Sequence, residues 1–263
     1  MSDLHRKFPF RVALLTGASG DLGSALSQLL AAAGVELILL DRDRVGQQRL
    51  ADSLAPLTTV HQYHVDLTDL EQYQQVLELI LKAHPELDLV IANAGIDIPQ
   101  RIESMDWRLV ERHYQIHTLS NHVMMQVLAP HFIARAHGHF AFTISLAALS
   151  GGFPFETAYS GSKAAMAITV DGWRCELAHA GVTLTGIYPG FLDGKLAAAN
   201  AWDSSNTTST MVAASKIVRA IKQRKKRLIF PLALYWQARL LRMMPLAFQD
   251  AVVKRLMRKD YTI

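Results

Sequence analysis

The chain has 263 residues, half of them hydrophobic, and a formal net charge of +4. This length and composition can bury one large core, so we expect a single domain. Cys175 is the only cysteine, which excludes an intrachain disulfide and a thiolate metal cluster, and no apolar stretch suited to a secretory signal precedes the first predicted strand, so we expect a cytoplasmic protein.

In chain order, short apolar runs alternate with helix-like stretches throughout the first half of the sequence. Predicted strands cover residues 11–16, 35–40, 59–65 and 87–92, and predicted helices cover 21–33, 43–54 and 69–83. This alternation is typical of a parallel sheet with helices on both faces.

The second half continues the pattern with longer helices. Predicted helices cover residues 105–133 and 157–180, and predicted strands cover 139–145, 182–188 and 227–230. Residues 200–210 are polar and predict a mobile loop. The fold class is therefore α/β, a doubly wound parallel sheet in a single domain, with a C-terminal helical tail at residues 232–263.

A glycine-rich segment, Thr16-Gly17-Ala18-Ser19-Gly20-Asp21-Leu22-Gly23, joins the first strand to the first helix. Glycines here let the backbone approach a pyrophosphate, which the helix N-terminus favours electrostatically. A tight turn without a ligand is the alternative for this glycine spacing.

Asp41 ends the second strand about twenty residues further on, where a carboxylate would accept hydrogen bonds from an adenosine ribose and repel a 2′-phosphate. Arg42 beside it could instead pair with that phosphate. The sequence therefore predicts NAD as the preferred cofactor and leaves NADP as the alternative.

Tyr159 and Lys163 are four residues apart on a predicted helix, fourteen residues after Ser145. The phenol and the ammonium share a helix face, so we expect the lysine charge to lower the pKa of Tyr159 toward neutrality. Tyr159 would then serve as an acid/base, and the Ser145 hydroxyl could hydrogen-bond the same substrate oxygen.

Together these motifs resemble the short, single-domain branch of the short-chain dehydrogenase/reductase family, from about Val12 to Pro231. The resemblance also rests on Asp66, Asn93-Ala94-Gly95 and Pro189-Gly190. It implies one NAD(P)-binding Rossmann domain over residues 1–263 with about seven strands. It also implies hydride transfer at an alcohol or carbonyl carbon, a small-molecule substrate, and a homodimer or homotetramer.

The resemblance also assigns roles to particular residues. It implies cofactor contacts by Thr16, Gly17, Ser19, Gly20, Asp21, Leu22, Gly23, Asp41, Arg42, Asp66, Leu67, Asn93, Ala94, Gly95, Tyr159, Lys163, Pro189, Gly190, Phe191 and Leu192. Asp66 would contact the adenine, Pro189 to Leu192 would border the nicotinamide, and Lys163 would hold the nicotinamide ribose.

The chain departs from the family pattern at three positions. Asp21 stands where many members have their second glycine. His117 replaces the usual asparagine; either its imidazole holds a proton-relay water, with a pKa near physiological pH, or it merely packs in the helix. Gly194 replaces a threonine that often touches the cofactor carboxamide. The loss of the threonine hydroxyl could weaken closure of the protein over the cofactor by about 1 kcal/mol.

No metal site is predicted. His113 and His117 have the i, i+4 spacing of ligands on a helix but lack the His-Glu-x-x-His pattern. His61 and His64 are three apart on a strand and should point to opposite faces.

The C-terminal region is strongly basic. Residues 216–263 hold thirteen of the 27 Lys/Arg residues and two of the 23 acidic ones. A membrane span is excluded by Pro231, Arg239, Arg242 and Pro245. The tail could lie on an anionic membrane surface with Tyr235 and Trp236 near the headgroups, or form a lid or dimer contact. Nucleic acid is disfavoured because no reading module surrounds the charges.

The sequence thus predicts an oxidoreductase that interconverts a secondary alcohol and a ketone, with Ser145, Tyr159, Lys163 and His117 as the catalytic candidates. Phe153, Phe155 and Phe191 favour an apolar or bulky substrate. An epimerase or dehydratase of the same superfamily is one alternative, disfavoured because no large substrate domain follows Pro189. A catalytically silent dinucleotide sensor is the other.

Overall fold

A seven-stranded parallel sheet forms the centre of the computed structural model, which describes residues 8–150, 154–194 and 207–260. The strand order is β3-β2-β1-β4-β5-β6-β7. The strands are β1 Val12–Thr16, β2 Glu36–Asp41, β3 Val60–His64, β4 Leu89–Ala92, β5 Gly138–Thr143, β6 Val182–Pro189 and β7 Arg227–Phe230. The predicted doubly wound sheet is confirmed.

Helices cover both faces of this sheet. They are α1 Asp21–Ala32, α2 Arg44–Leu54, α3 Leu70–Ala83, α4 Trp107–Tyr114, α5 Ser120–Ala134, α6 Ala147–Ser150, α7 Thr157–Glu176, α8 Thr210–Lys222, α9 Leu232–Met243 and α10 Leu246–Asp260. Short 3₁₀ turns occupy Ile102–Ser104 and Leu177–Ala180. Aspartates that the sequence placed inside two helices are N-caps: Asp43 accepts from the Gly46 N–H, and Asp69 from the Gln72 N–H.

Each face of the sheet packs its own hydrophobic core. Leu14 and Val90 belong to the core that includes residues of α3, α5 and α7, whereas Leu15 and Ile91 belong to the core that includes residues of α1 and α8. Successive strand residues point to opposite faces, so a strand covered on both sides must be apolar along its length. This is why the inner strands β1, β2 and β4 are largely apolar, whereas the edge strand β3 has the sequence VHQYH and is only partly buried.

The helix predicted over residues 105–133 is interrupted. The π-helical segment Gln115–Leu119 separates α4 from α5. Three successive carbonyls in it also accept side-chain hydrogen bonds from four residues later: Ile116 from Ser120, His117 from Asn121 and Thr118 from His122. Such bonds compete with the regular α-helical pattern, and π-helical turns often occur at functional sites.

The order of the strands places a crevice between the carboxyl ends of β1 and β4. Connections from β1 lead outward to β2 and β3, and connections from β4 lead the other way to β5, β6 and β7. At such a reversal the loops diverge and leave room for a ligand. Thr16 and Ala92 end these two strands, directly before the glycine-rich loop and Asn93.

The C-terminal tail forms helices α9 and α10. Among the described residues, none of the helices combines the length and apolar character that crossing a membrane requires. Of the loop predicted at 200–210, residues 200–206 lie outside the described residues, and Thr210 already begins α8.

Candidate active site

The crevice is a cleft of about 590 Å³ that most of the predicted cofactor and catalytic residues line. Its walls include Gly17, Ser19, Gly20, Asp21, Leu22, Gly23, Asp41, Arg42, Asp66, Leu67, Asn93, Ala94, Gly95, Ser145, Tyr159, Lys163, Pro189, Gly190 and Leu192. Three predicted residues are absent from these walls: Thr16, His117 and Phe191. The cofactor and catalytic roles of all these residues stay predictions.

The glycine-rich loop is held close to the strand β4 side of the cleft. Gly17 has φ of +64°, and a Cβ there would lie 2.7 Å from Ala94 Cα. A Cβ on Gly23 would lie 2.1 Å from the Gly17 carbonyl oxygen, because α1 begins directly against the turn. Glycine is required at both positions because a side chain would collide with the protein's own backbone. The turn leaves the first N–H groups of α1 beside the cleft.

Gly23→Ala should destabilise the fold more than Gly20→Ala. At Gly20 the nearest atom to a new Cβ is the same Gly17 oxygen at 3.4 Å, an ordinary contact. Overpacking against backbone costs about 1–3 kcal/mol, and each kcal/mol lowers Tm by roughly 2–4 °C in a chain of this size. Thermal unfolding of the two variants measures the difference, and equal Tm values would contradict the steric argument.

Asp41 lies at the cleft edge and is fixed by three hydrogen bonds. Its Oδ2 accepts from the N–H and the hydroxyl of Ser19, both at 2.8 Å, and its Oδ1 accepts from the Asp43 N–H at 3.0 Å. Arg42 Nη1 lies 3.6 Å from Asp66 Oδ2. Burial raises the pKa of Asp66, but hydrogen bonds from Thr68 and the charges of Arg42 and Arg112 lower it on balance.

Thr16 supports the Asn93-Ala94-Gly95 segment from behind instead of facing the cleft. The Thr16 Oγ1 accepts from the N–H groups of Asn93 and Ala94, both at 3.1 Å. Asn93 also donates from its side chain to the Gly17 carbonyl at 3.3 Å. The Thr16 hydroxyl thus ties the end of β1 to the end of β4, and its contact with a cofactor stays a prediction.

Ser145, Tyr159 and Lys163 meet at one wall of the cleft. Ser145 follows β5, and its hydroxyl hydrogen-bonds the Tyr159 phenol, which is carried by α7. Lys163 is buried on the same helix, donates from Nζ to the Thr143 carbonyl at 2.9 Å, and lies 5.8 Å from the Tyr159 ring centre. The predicted juxtaposition of the three side chains is present in the structure.

The expected pKa of Tyr159 is corrected in direction. Desolvation raises the pKa of this phenol well above its usual value, and the carboxylates of Asp97 and Glu156 raise it further, while the hydrogen bond from Ser145 opposes the shift. Burial also lowers the pKa of Lys163 to about 8. The sequence argument counted the lysine charge but not the removal of both groups from water.

His117 is buried with both ring nitrogens engaged. Its Nε2 accepts from the Ile96 N–H at 3.1 Å, and its Nδ1 lies 2.9 Å from the Ser162 hydroxyl. Burial lowers the pKa of His117 well below its usual value, and the Lys163 charge adds to that shift. The expectation of an imidazole that titrates near physiological pH is wrong. His117 instead connects the segment after β4 to α7 as a neutral ring.

His113 makes a parallel contact one turn earlier. Its Nε2 accepts from the Ile98 N–H at 3.3 Å, and its Nδ1 donates to the Leu109 carbonyl at 2.7 Å. The two imidazoles therefore hold alternate N–H groups on either side of Asp97. Their i, i+4 spacing places both rings along this backbone segment, and all four ring nitrogens already have a hydrogen-bond partner.

Two carboxyl groups near the Tyr159 phenol were missed by the sequence analysis. Asp97 is only 7% exposed, and burial raises its pKa to about 6 although the Lys163 charge opposes the rise. Burial and the nearby Asp97 raise the pKa of Glu156 to about 7. The available signal was their proximity in sequence to known motifs, since Asp97 follows Gly95 by two residues and Glu156 precedes Tyr159 by three.

Two departures from the family pattern are in contact with each other. Gly194 has φ of +121°, and a Cβ there would lie 2.4 Å from the Asp21 carboxylate. A threonine at 194 would therefore meet both a disfavoured backbone conformation and the Asp21 side chain. Glycine at 194 therefore avoids a clash with the aspartate at 21.

Comparisons with known proteins agree with this fold and cleft. The family model described as short chain dehydrogenase matches residues 11–205. An uncharacterized oxidoreductase of Myxococcus xanthus is 29% identical over 248 residues, which cover 94% of this chain and 98% of the relative. A short chain dehydrogenase/reductase from Burkholderia phymatum in complex with NAD superposes with a TM-score of 0.82 at 21% identity, covering 90% of this chain and 94% of that one. A short-chain dehydrogenase from Sphingobium yanoikuyae in complex with NADPH superposes with a TM-score of 0.79 at 21% identity, covering 95% of this chain and 96% of that one.

Proposed function

We propose that this chain, an oxidoreductase that belongs to the short-chain dehydrogenase/reductase family and has a Rossmann fold for a nicotinamide dinucleotide, interconverts a secondary alcohol and a ketone. The observation that supports this reaction is the meeting of Ser145, Tyr159 and Lys163 at the cleft wall. A hydroxyl donor and an acid/base on one side of a cleft suit proton transfer at a single substrate oxygen.

The cleft residues fit a dinucleotide. Gly17 and Gly23 bring the backbone of the turn to the start of α1, where N–H groups favour a pyrophosphate. Asp41 presents a fixed carboxylate at the far end. When bound, the nicotinamide supplies or accepts the hydride.

Each catalytic residue has a separable task. The Ser145 hydroxyl donates a hydrogen bond to the substrate oxygen, where negative charge develops during reduction. Tyr159 gives that oxygen a proton in the reducing direction and removes it in the oxidising direction. Lys163 places a positive charge beside the phenol, which favours phenolate when the proton leaves.

NAD is the proposed preferred cofactor, with NADP as the alternative. The Asp41 carboxylate would meet a ribose 2′-phosphate with like charge, whereas it can accept hydrogen bonds from ribose hydroxyls. Arg42, the side chain that could pair with that phosphate, lies 3.6 Å from Asp66. The charge of Asp41 and the ion pair of Arg42 with Asp66 both favour NAD, which lacks the 2′-phosphate.

The proposed substrate carries a polar group near the reacting carbon as well as apolar surface. Of the aromatic residues that favoured an apolar pocket, Phe153 lies outside the described residues, Phe155 packs against Arg101, and Phe191 is 37% exposed and is not among the residues that line the cleft. The charges of Asp97 and Glu156 instead act on Tyr159, although neither residue is among those that line the cleft. Their negative charge would favour a hydroxyl or amino substituent on a substrate that binds next to Tyr159.

Nicotinamide absorbance tests this proposal directly. The protein is incubated with NAD, NADP and their reduced forms against secondary alcohols and ketones that are graded in chain length and in added hydroxyl or amino groups. Turnover with NAD, and better kcat/KM for the polar-substituted members, is expected. If cofactor binds but no member of the panel reacts, the alternatives of a dinucleotide sensor or an epimerase of the same superfamily gain weight.

The pH profile of carbonyl reduction should fall above about pH 8. Burial lowers the pKa of Lys163 to about 8, and the Asp97 charge opposes this shift. A lysine with a lowered pKa is charged below that value and neutral above it, so the charge that assists Tyr159 is lost as pH rises through 8. In Asp97→Asn the fall in kcat should begin at lower pH. A profile that is level to pH 10 would contradict the role of Lys163.

The outer face of α9 is proposed to contact an anionic membrane surface. Leu232, Trp236, Leu240 and Met243 follow helical spacing, and Trp236 and Met243 are 57% and 77% exposed. On the inner face, Leu234 packs where Gly190 borders the cleft. Arg239 and Arg242 lie on α9 itself, which gives this apolar stripe the charge of a helix that binds anionic lipids.

Vesicle flotation tests this contact. Binding to vesicles with anionic lipid should exceed binding to neutral vesicles, and the double variant Trp236→Gln/Leu240→Gln should lose most of it. Leu57→Gln, at a leucine that is 54% exposed elsewhere, is the matched control. If the double variant binds vesicles unchanged but changes the oligomeric state in light scattering, α9 is a dimer contact and the membrane proposal fails.

A further inference from the structure

Three side chains with metal-binding atoms converge at the end of the sheet opposite the cleft. Glu36 begins β2, His61 lies near the start of β3, and His84 follows the last residue of α3. The Glu36 Oε1 lies 2.9 Å from His61 Nε2 and 3.9 Å from His84 Nδ1. We propose that these three residues bind a divalent transition metal of the Zn²⁺ class, at a site separate from the cleft.

The spacing of the ligand atoms suits a tetrahedral ion. Zinc bonds to nitrogen and oxygen of about 2.0–2.2 Å at tetrahedral angles separate neighbouring ligand atoms by about 3.4 Å. The two distances from Glu36 lie on either side of that value, and all three ligand atoms lie within 4.8 Å of one another. Small rotations of these side chains would bring them to bonding distance, with a fourth position left for water.

His84 is already oriented for this role. Its Nε2 hydrogen-bonds the Tyr63 hydroxyl at 3.1 Å. With the proton on Nε2, the lone pair of Nδ1 is directed to the side where Glu36 lies. When His84 Nε2 donates to the Tyr63 hydroxyl, this bond holds the ring in the orientation that a metal-binding histidine needs. Because His84 is buried, its ring has little freedom to turn away.

A simple ion pair does not account for the third side chain. Glu36 and His61 alone would satisfy each other with one hydrogen bond. The His84 ring nevertheless packs 4.3 Å from the His61 ring, centre to centre, with its Nδ1 toward the same carboxylate oxygen. A cation in place of the proton between His61 Nε2 and Glu36 Oε1 would be bound by both imidazoles and by the carboxylate. Glu36 and His61 are partly exposed, so an ion can enter from solvent.

Isothermal titration of the full-length, tag-free, chelator-treated protein with ZnSO₄ tests the site. We expect one strong site per chain, and at least tenfold weaker binding in His61→Gln and in Glu36→Gln. The variant His179→Gln, at an exposed histidine outside the cluster, should bind like the wild type. Zn²⁺ at about a hundred times its Kd should raise the wild-type Tm by roughly 5 °C or more, and the Tm of the two cluster variants by much less.

A Co²⁺ titration adds a readout that is independent of affinity. Tetrahedral coordination gives Co²⁺ an intense visible absorption, which should form in wild-type protein and in His179→Gln and be lost in His61→Gln. Circular dichroism verifies that every variant is folded. No binding by folded wild-type protein, or binding that is unchanged in both cluster variants, would overturn the proposal. Turnover is not needed for any of these measurements, so they stand apart from the proposed reaction.

Discussion

Tyr159→Phe should lower kcat/KM by about 10²–10⁴-fold, the usual contribution of a positioned acid/base. The substitution removes one hydroxyl from a side chain that is otherwise held by its packing on α7. Because the phenol is where the proposed proton transfer occurs, the loss should fall mainly on kcat. The affinity for the dinucleotide, measured by titration of protein fluorescence, should change little, since the ring remains in place.

Tyr73→Phe is the matched control for that result. Tyr73 lies on α3, is fully buried, and its hydroxyl has no hydrogen-bond partner among the described residues. The same chemical change far from the cleft should leave kcat/KM within about twofold of the wild type. If Tyr159→Phe were as active as Tyr73→Phe, the proton donor would have to be another group, and the proposed mechanism would fail.

Lys163→Met offers a second view of the same unit. It removes a charge that is buried on α7 and bonded to the Thr143 carbonyl. Residues that act as one catalytic unit show strongly non-additive effects. The double variant with Tyr159→Phe should therefore be hardly worse than Tyr159→Phe alone, whereas independent roles would multiply the losses.

The parts of the fold that were predictable depend on local signals. Strands buried on both faces are apolar throughout, and the glycines of the first turn, Gly17 and Gly23, mark a backbone contact that nothing larger fits. Asp43 and Asp69 mark helix starts because their carboxylates accept the first free N–H groups. These features are decided within a few residues of sequence, so the sheet and the cleft could be derived before any coordinates.

The features that were missed depend on distance or burial. The π-helical segment around His117 coincides with contacts that this ring makes to Ile96 and Ser162, which are 21 and 45 residues away. The pKa of Tyr159 was expected to fall because of the Lys163 charge. The opposing effect of burial cannot be read from the spacing of the two residues. Glu36 and His84 belong to elements that only the packed sheet and helix bring together.

These long-range contacts share a physical consequence for the site. His113 and His117 attach the N–H groups of Ile98 and Ile96 to the helix that faces α7. Asp97 lies between the two attachment points and is held beside Lys163 and Tyr159. His117, at the position of the usual relay asparagine, and His113 therefore hold in place a carboxylate that changes the pKa of Tyr159 and of Lys163.

Asp41→Asn should lower the ratio of kcat/KM for NAD to that for NADP by tenfold or more, about 1.4 kcal/mol of discrimination. The amide keeps the shape of the carboxylate and, with its oxygen toward Ser19, still accepts both Ser19 hydrogen bonds, although it loses the bond from the Asp43 N–H. It no longer repels a 2′-phosphate. Most of the change should come from a lower KM for NADP. Steady-state kinetics with both cofactors and one substrate measure the ratio directly.

Asp69→Asn is the control, since it changes a carboxylate outside the cleft that caps α3 through the Gln72 N–H. An asparagine caps a helix nearly as well, so both stability and the cofactor ratio should stay close to the wild type. If Asp41→Asn also left the ratio unchanged, repulsion at the ribose would not be the basis of the preference. Asp66→Asn would then be the next variant to make, because it would weaken the ion pair of Arg42 and free the guanidinium for the phosphate of NADP.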